Sequence, residues 1–179
     1  MKASDLFVKC LEAEGVTKIF GIPGEENADL MISLKKSKIE FVLCRHEQAA
    51  AFMADVYGRL TGKAGVCLAT LGPGVTNLMT GLADANMDRA PVVAIIGQGS
   101  TERLHKESHQ IMDSISMVAP ISKWAQTILS AKNVTEVVRK AFKVAETEKP
   151  GVTVIELPED VAKEEINENP IKPTLIRRP

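Results

Sequence analysis

The chain has 179 residues, of which 45% are hydrophobic and 25% are charged, and its formal net charge is −1. This size and composition are typical of one globular domain, and no apolar run is long enough to cross a bilayer. The sequence has no basic block, which argues against nucleic acid or an anionic membrane as a partner. Because the N-terminal segment also lacks the continuous apolar core of a signal peptide, we expect a cytoplasmic domain that binds a small molecule or another protein.

Helix and strand patterns alternate along the chain. The first is a helix over residues 3–15, which Gly15 ends, and further helices are predicted over 27–36, 47–60, 75–86 and 134–145. Six short β-rich segments precede or follow them, at 17–20, 39–43, 64–70, 91–97, 121–126 and 152–157. This alternation predicts the α/β class: an open parallel sheet of about six strands with helices on both faces.

Two of these helices carry more detailed expectations. In the helix over 134–145, Asn133 and Glu136 occupy capping positions at the start. In the helix over 47–60, the larger apolar side chains fall on one face: Ala49, Phe52, Met53, Val56 and Leu60.

The domain is expected to end near residue 160. After Pro158 the sequence becomes polar and contains three further prolines, and we interpret residues 161–179 as a linker toward a missing domain. The three cysteines, Cys10, Cys44 and Cys67, have apolar neighbours and no C-x-x-C spacing, so they are predicted to be buried free thiols in a reducing compartment.

Four loops follow predicted strands and therefore meet at the edge of the sheet where ligands bind: "GIPGEEN", "CRHE", "TLGPGVTN" and "GQGSTERLHKESHQ". "TLGPGVTN" is either a tight turn or a ligand-contacting loop, because it has Asn77 where a dinucleotide fingerprint has its third glycine and it lacks the lysine of a P-loop. In "HKESH", His105 and His109 match no zinc-enzyme spacing, so a solvated surface is favoured over a metal site.

Glu47 has two interpretations. As the first residue of a helix, its carboxylate would complement the helix dipole. However, it also follows a strand at the ligand-binding edge, and the small residues Ala49, Ala50 and Ala51 after it are expected to leave room for a bound heterocycle with which the carboxylate shares a proton.

Four stretches together carry a family resemblance: "FGIPGEEN", "CRHEQAAAFMADVYGRLTGKAGVCLATLGPGVTN", "AIIGQ" and "HQIMDSISMVAPISKWA". In this order and spacing they resemble the N-terminal, pyrimidine-binding domain of thiamine diphosphate enzymes, most closely the acetolactate synthase group. The resemblance covers residues 1–160 and implies a flavodoxin-like, doubly wound parallel sheet.

The resemblance also implies site residues. Glu47 matches the family's glutamate that hydrogen-bonds N1′ of the aminopyrimidine ring and so promotes loss of the C2 proton of the thiazolium. Gln110 matches a polar residue near the reacting 2-oxo acid, whereas His46 is only a neighbour. The residues expected to line the cofactor cleft are Gly21, Pro23, Gly24, Gly72, Pro73 and Asn77.

Two departures qualify what the resemblance implies. The family holds the diphosphate and Mg²⁺ in a separate domain with a GDG…N signature, and this sequence lacks that signature. The chain is therefore expected to be inactive alone and to need that domain from a dimeric or tetrameric assembly. Flavin-containing members have arginine before the Pro-Gly of "EKPGVTV", where this chain has Lys149, so FAD is not expected.

Three functions remain open from the sequence. The favoured one is the N-terminal part of an acetolactate synthase, which decarboxylates pyruvate and joins the two-carbon fragment to a second 2-oxo acid. The alternatives are a natural subunit of a split 2-oxo acid decarboxylase and a non-catalytic, nucleotide-binding or regulatory α/β module.

Overall fold

The computed structural model describes residues 1–173, so the last part of the expected linker, residues 174–179, lies outside the described residues. Six strands form one sheet: β1 (Lys18–Gly21), β2 (Glu40–Leu43), β3 (Gly65–Ala69), β4 (Val92–Gln98), β5 (Trp124–Thr127) and β6 (Val152–Pro158). The helices are α1 (Ala3–Ala13), α2 (Ala28–Lys35), α3 (Glu47–Thr61), α4 (Pro73–Met87), α5 (Ser114–Val118), α6 (Val134–Glu146) and α7 (Glu159–Lys163). The predicted α/β class is confirmed, and each predicted strand is present.

All strand pairs are parallel, in the order β2-β1-β3-β4-β6-β5. The first four strands follow the 2-1-3-4 order of flavodoxin-like sheets. At the other edge β6 lies next to β4, and β5 pairs with the outer side of β6.

Helices cover both faces of the sheet, as predicted. Alternate residues of each central strand belong to two different cores, because successive side chains of a strand point to opposite faces. Val66 and Leu68 of β3 pack in the core formed with α1, α2, α6 and α7. Cys67 and Ala69 pack in the core formed with α3, α4 and α5. The β3 and β4 side chains are buried throughout, as expected for strands covered on two sides.

The apolar face proposed for α3 is only partly buried. Met53 and Val56 are 43% and 47% exposed, and Leu60 is 81% exposed. The helix packs against its neighbours through small residues instead, and a Cβ atom on Gly81 of α4 would lie only 2.6 Å from the Cβ atom of Ala51. Such a close helix pair leaves no space for large side chains between its members, so they point outward.

Smaller differences concern the ends of elements. Asn133 precedes α6, but its side chain does not cap the helix, and Glu136 forms an ion pair with Arg139 instead. Gly15 follows α1 with a φ of 82°, as suits a glycine that ends a helix. Contacts with the domain continue past residue 160: Val161 and Ala162 of α7 are buried, and the backbone N–H of Ile166 donates to the carbonyl oxygen of Met1. A domain boundary near residue 160 therefore stays a proposal.

The three cysteines are free and buried, as predicted. Burial raises the pKa of the Cys10 and Cys67 thiols to about 12, so neither thiolate forms readily at neutral pH. Among the described helices, none is both long enough and apolar enough to cross a membrane.

Glu14, just after α1, predicts a pH dependence of stability. Burial, with repulsion from Glu146, raises the pKa of its carboxyl from 4.5 to about 7. Because the folded state holds this proton to a higher pH than the unfolded state does, the chain loses stability as pH rises from about 4.5 to about 7. Glu14→Gln should therefore stabilise the chain by about 1–2 kcal/mol at pH 8 and by much less at pH 4.

Urea unfolding of the unsubstituted chain and of Glu14→Gln at pH 4 and pH 8 measures the effect. Glu107→Gln, at an exposed position, is the matched control. An equal gain at both pH values for Glu14→Gln would contradict the assignment.

Candidate functional site

The candidate site lies at the carboxyl edge of the sheet, between the ends of β1 and β3. The chain adds β2 on one side of β1 and β3 on the other, so the direction of strand addition reverses between them. Ligands of doubly wound sheets bind in the crevice at such a switch point. Gly21 ends β1 here and is followed by Pro23 and Gly24, whereas Gly72 and Pro73 follow β3.

The loops after β1 and β3 touch across this crevice. A Cβ atom on Gly24 would lie 2.4 Å from the Cβ atom of Thr70, so a larger residue would force the loops apart. The hydroxyl of Thr70 also donates a hydrogen bond to Glu26 Oε2 at 2.9 Å. Neither Thr70 nor Glu26 was identified from the sequence, because nothing in the sequence distinguishes a threonine directly after a strand or one of two adjacent acids in a polar loop.

Glu47 is the first residue of α3, which packs against both β1 and β3. It is only 8% exposed. The cap of this helix is His46, whose Nδ1 accepts a hydrogen bond from the backbone N–H of Gln48 at 3.1 Å. Glu47 is therefore the first residue of the helix but its carboxylate does not cap it, and the capping role belongs to His46.

Asn77 holds the Glu47 carboxylate from the neighbouring helix. Its side-chain Nδ2 donates to Glu47 Oε2 at 3.0 Å. Asn77 lies in the second turn of α4, and a Cβ atom on Gly74 of the first turn would lie 3.7 Å from Glu47 Oε1. The carboxylate thus lies close to the N-terminal end of α4.

Gln110 reaches the same region through its backbone. It is exposed and has a φ of 56°, a conformation uncommon for a residue other than glycine. A Cβ atom on Gly72 would lie 2.5 Å from the carbonyl oxygen of Gln110, so this contact requires glycine at position 72, which itself has a φ of 52°. The structure therefore brings Gln110 to the start of α4.

One sequence expectation about this region is corrected in part. Ala50 and Ala51 are completely buried and pack between α3 and α4, so of the three alanines only Ala49 is exposed next to Glu47. The stretch from His105 to His109 is not helical and both histidines are exposed, in agreement with the solvated surface favoured from the sequence. Over residues 1–173, no group of three or more histidine, cysteine or acidic side chains has the arrangement of a metal site.

A second polar cluster lies further along the same edge. Gln98, Thr127 and Glu156 border a cavity of about 400 Å³ at the carboxyl ends of β4, β5 and β6. Burial raises the pKa of the Glu156 carboxyl, whereas hydrogen bonds from Thr127 and Gln98 act in the opposite direction. These residues were not selected from the sequence, because an acid and an amide at strand ends have no distinctive spacing.

The residues at the switch point suit the pyrimidine end of thiamine diphosphate. A buried carboxylate held by one side-chain amide is a hydrogen-bond acceptor for a protonated ring nitrogen. Gly21, Gly24 and Gly72 let the loops at this edge pack closely, because a Cβ atom at each would lie 2.3–2.5 Å from Leu68, Thr70 and Gln110, respectively. The site thus fits a planar heterocycle at its carboxylate.

Comparison with known proteins agrees with this geometry. Residues 1–117 match the family described as thiamine pyrophosphate enzyme, N-terminal TPP binding domain. The chain belongs to this family. It is 45% identical over 158 residues to a catabolic acetolactate synthase of Raoultella terrigena, an alignment that covers 88% of the chain and 28% of that relative.

Other relatives of the TPP-binding domain carry similar names. The acetolactate synthase of Bacillus subtilis is 41% identical over 166 residues, 93% of the chain and 29% of that protein. The large subunit of acetolactate synthase isozyme 2 of Escherichia coli is 40% identical over 161 residues, 90% of the chain and 29% of that protein. The chain therefore spans less than a third of the length of these curated relatives.

Proposed function

We propose that this TPP-binding domain is the N-terminal part of an acetolactate synthase, which decarboxylates pyruvate and joins the two-carbon fragment to a second 2-oxo acid. The observation that carries the proposal is the buried Glu47 carboxylate, which is held by Asn77 at the switch point and is not used to cap its own helix. The named relatives, at 40–45% identity, support this reaction.

Thiamine diphosphate, when bound, supplies the carbanion stabilisation that decarboxylation of a 2-oxo acid needs. In this chain Glu47 would hold a proton at N1′ of the aminopyrimidine ring, and Asn77 would keep the carboxylate aimed at that atom. Gln110 would face the 2-oxo acid. The cleft for the ring would be lined by Gly21, Pro23, Gly24, Gly72, Pro73 and Asn77.

The remainder of the active site would come from outside the described residues. A diphosphate-binding domain, with its Mg²⁺, would complete the site in a homodimer or tetramer, since the relatives are more than three times as long as the aligned part. We propose that FAD is not required, because Lys149 stands where flavin-containing members have arginine. The three free, buried thiols support a cytoplasmic location.

The two alternatives from the sequence are not favoured. A split decarboxylase subunit and a regulatory module would both be compatible with the sheet, but the relatives reported above are acetolactate synthases. A regulatory module would also not require a buried carboxylate at the switch point.

The proposal is tested by assaying acetolactate formation from pyruvate in the full-length or reconstituted enzyme, with and without added thiamine diphosphate and Mg²⁺. We expect product only when the cofactor is present, and no change when FAD is added. Pyruvate consumption that yields acetaldehyde alone would indicate a decarboxylase, and no consumption with the cofactor present would overturn the proposal.

A further inference from the structure

The Gln98 side chain, at the end of β4, ties together both ends of the segment 99–112. Its Oε1 accepts a hydrogen bond from the backbone N–H of Gly99 at 3.0 Å, and its Nε2 donates to the carbonyl oxygen of Met112 at 3.2 Å. Nε2 also donates to Glu156 Oε1 at 3.0 Å. Both ends of the amide are thus engaged, and Gln98 is only 2% exposed.

Glu156 determines which way this amide points. It is 3% exposed, and its Oε2 accepts a hydrogen bond from the Thr127 hydroxyl at 2.7 Å. Because a carboxylate accepts hydrogen bonds, the NH₂ group of Gln98 must face Glu156, and the carbonyl group must face Gly99. Buried amides and carboxylates are costly to leave unpaired, so the arrangement is strongly specified.

The segment that Gln98 ties together carries Gln110. Elsewhere it is attached to the α7 region, where Thr101 donates its backbone N–H to Asp160 Oδ1 at 3.0 Å. Its far end lies against the start of α4 through the contact between the Gln110 carbonyl oxygen and Gly72. A displacement of residues 99–112 would therefore move Gln110 relative to Asn77 and Glu47.

We propose that Gln98, oriented by Glu156, is a positioning residue that holds the segment 99–112 so that Gln110 lies beside Gly72 at the substrate side of the site. The inference rests on the proposed function, which gives Gln110 its role toward the 2-oxo acid. Gln98 acts through the backbone of this segment, because its side chain is 2% exposed and both ends of its amide are hydrogen-bonded within the chain.

The test compares variants of the pair in the full-length or reconstituted enzyme. Gln98→Glu removes both donors and places a second carboxylate beside Glu156. It should accelerate amide hydrogen exchange within residues 99–112 and raise the KM for pyruvate by about tenfold. Exchange of the C2 proton of thiamine diphosphate should change by less than about twofold, because Glu47 and Asn77 keep their contact.

Conservative variants separate orientation from general structural damage. Glu156→Gln places a second amide opposite Gln98 and no longer fixes the direction of the Gln98 amide, so KM should rise, but by less than in Gln98→Glu. The double variant Gln98→Glu with Glu156→Gln restores an amide–carboxylate pair and should recover part of the lost affinity. If Gln98→Glu does not fold, Gln98→Met takes its place, because methionine is similar in size but has no amide. The same faster amide exchange and the same rise in KM are expected for it. Gln126→Glu is the matched control, because this exposed amide donates to the Thr127 carbonyl oxygen and has no other hydrogen bond within residues 1–173.

Unchanged hydrogen exchange and KM in Gln98→Glu and Gln98→Met would overturn the proposal. A parallel loss of C2-proton exchange would also overturn it, since the defect would then not be confined to the substrate side. Failure of the proposed function is distinguishable, because it would appear in the unsubstituted enzyme as an absence of cofactor-dependent acetolactate formation. Amide exchange reports the ordering of residues 99–112 in either case.

Discussion

Replacing Glu47 with glutamine should slow exchange of the C2 proton of bound thiamine diphosphate by about 10²- to 10⁴-fold, the usual contribution of a positioned acid–base group. The amide is nearly the same size as the carboxylate and can still accept from Asn77 Nδ2, so the fold should be retained. It cannot hold a proton at the ring nitrogen as a carboxylate does. The loss should appear in kcat for acetolactate formation as well as in proton exchange.

The measurement is deuterium incorporation at C2, followed by NMR after acid quenching in the full-length or reconstituted enzyme. Glu136→Gln is the matched control, because Glu136 also lies in the first turn of a helix but its side chain is 62% exposed. If the effect came only from a charge near a helix N-terminus, both variants would behave alike. Wild-type exchange in Glu47→Gln would refute the assigned role.

Replacing Gly65 with alanine should destabilise the chain by about 3 kcal/mol or more, at the upper end of what overpacking costs. Gly65 begins β3, and a Cβ atom there would lie 2.0 Å from the carbonyl oxygen of Ala54 in α3. Since the clashing atom is backbone and not the flexible end of a side chain, strand and helix would have to separate. The separation would also disturb the start of the crevice, because α3 carries Glu47.

Urea unfolding of the chain, followed by circular dichroism, measures this effect. Gly15→Ala is the control: Gly15 has a φ of 82°, but within residues 1–173 no atom beyond its chain neighbours would lie within 4 Å of the added Cβ, so the change should cost only about 1 kcal/mol, through backbone strain. Equal losses of unfolding free energy in Gly65→Ala and Gly15→Ala would contradict the prediction, because β3 and α3 would then accommodate the added methyl group at little cost.

Local sequence determined the α/β alternation and the positions of all six strands. Buried parallel strands need continuous apolar runs, and "GVCLA" and "VVAIIG" are such runs whatever surrounds them. Likewise, a loop that follows a strand in this class lies at the ligand-binding edge, so the loops containing Gly24, Glu47 and Gly72 could be selected without coordinates. The resemblance added the chemical roles, which no spacing in this chain supplies.

Only the tertiary structure decided which side chains meet, because hydrogen bonds between distant segments leave no periodic signal in the sequence. Asn77 is 30 residues from Glu47, and Glu156 is 58 residues from Gln98, yet each pair is joined by a hydrogen bond. The same limit explains which side of α3 is buried. Helical periodicity identifies an apolar stripe that includes Leu60, but α4 approaches closely through Gly81, so Ala51 is buried and Leu60 is exposed. The sequence by itself thus determined the class of fold and the edge where the site lies, whereas packing between elements determined how the Glu47 carboxylate is held there.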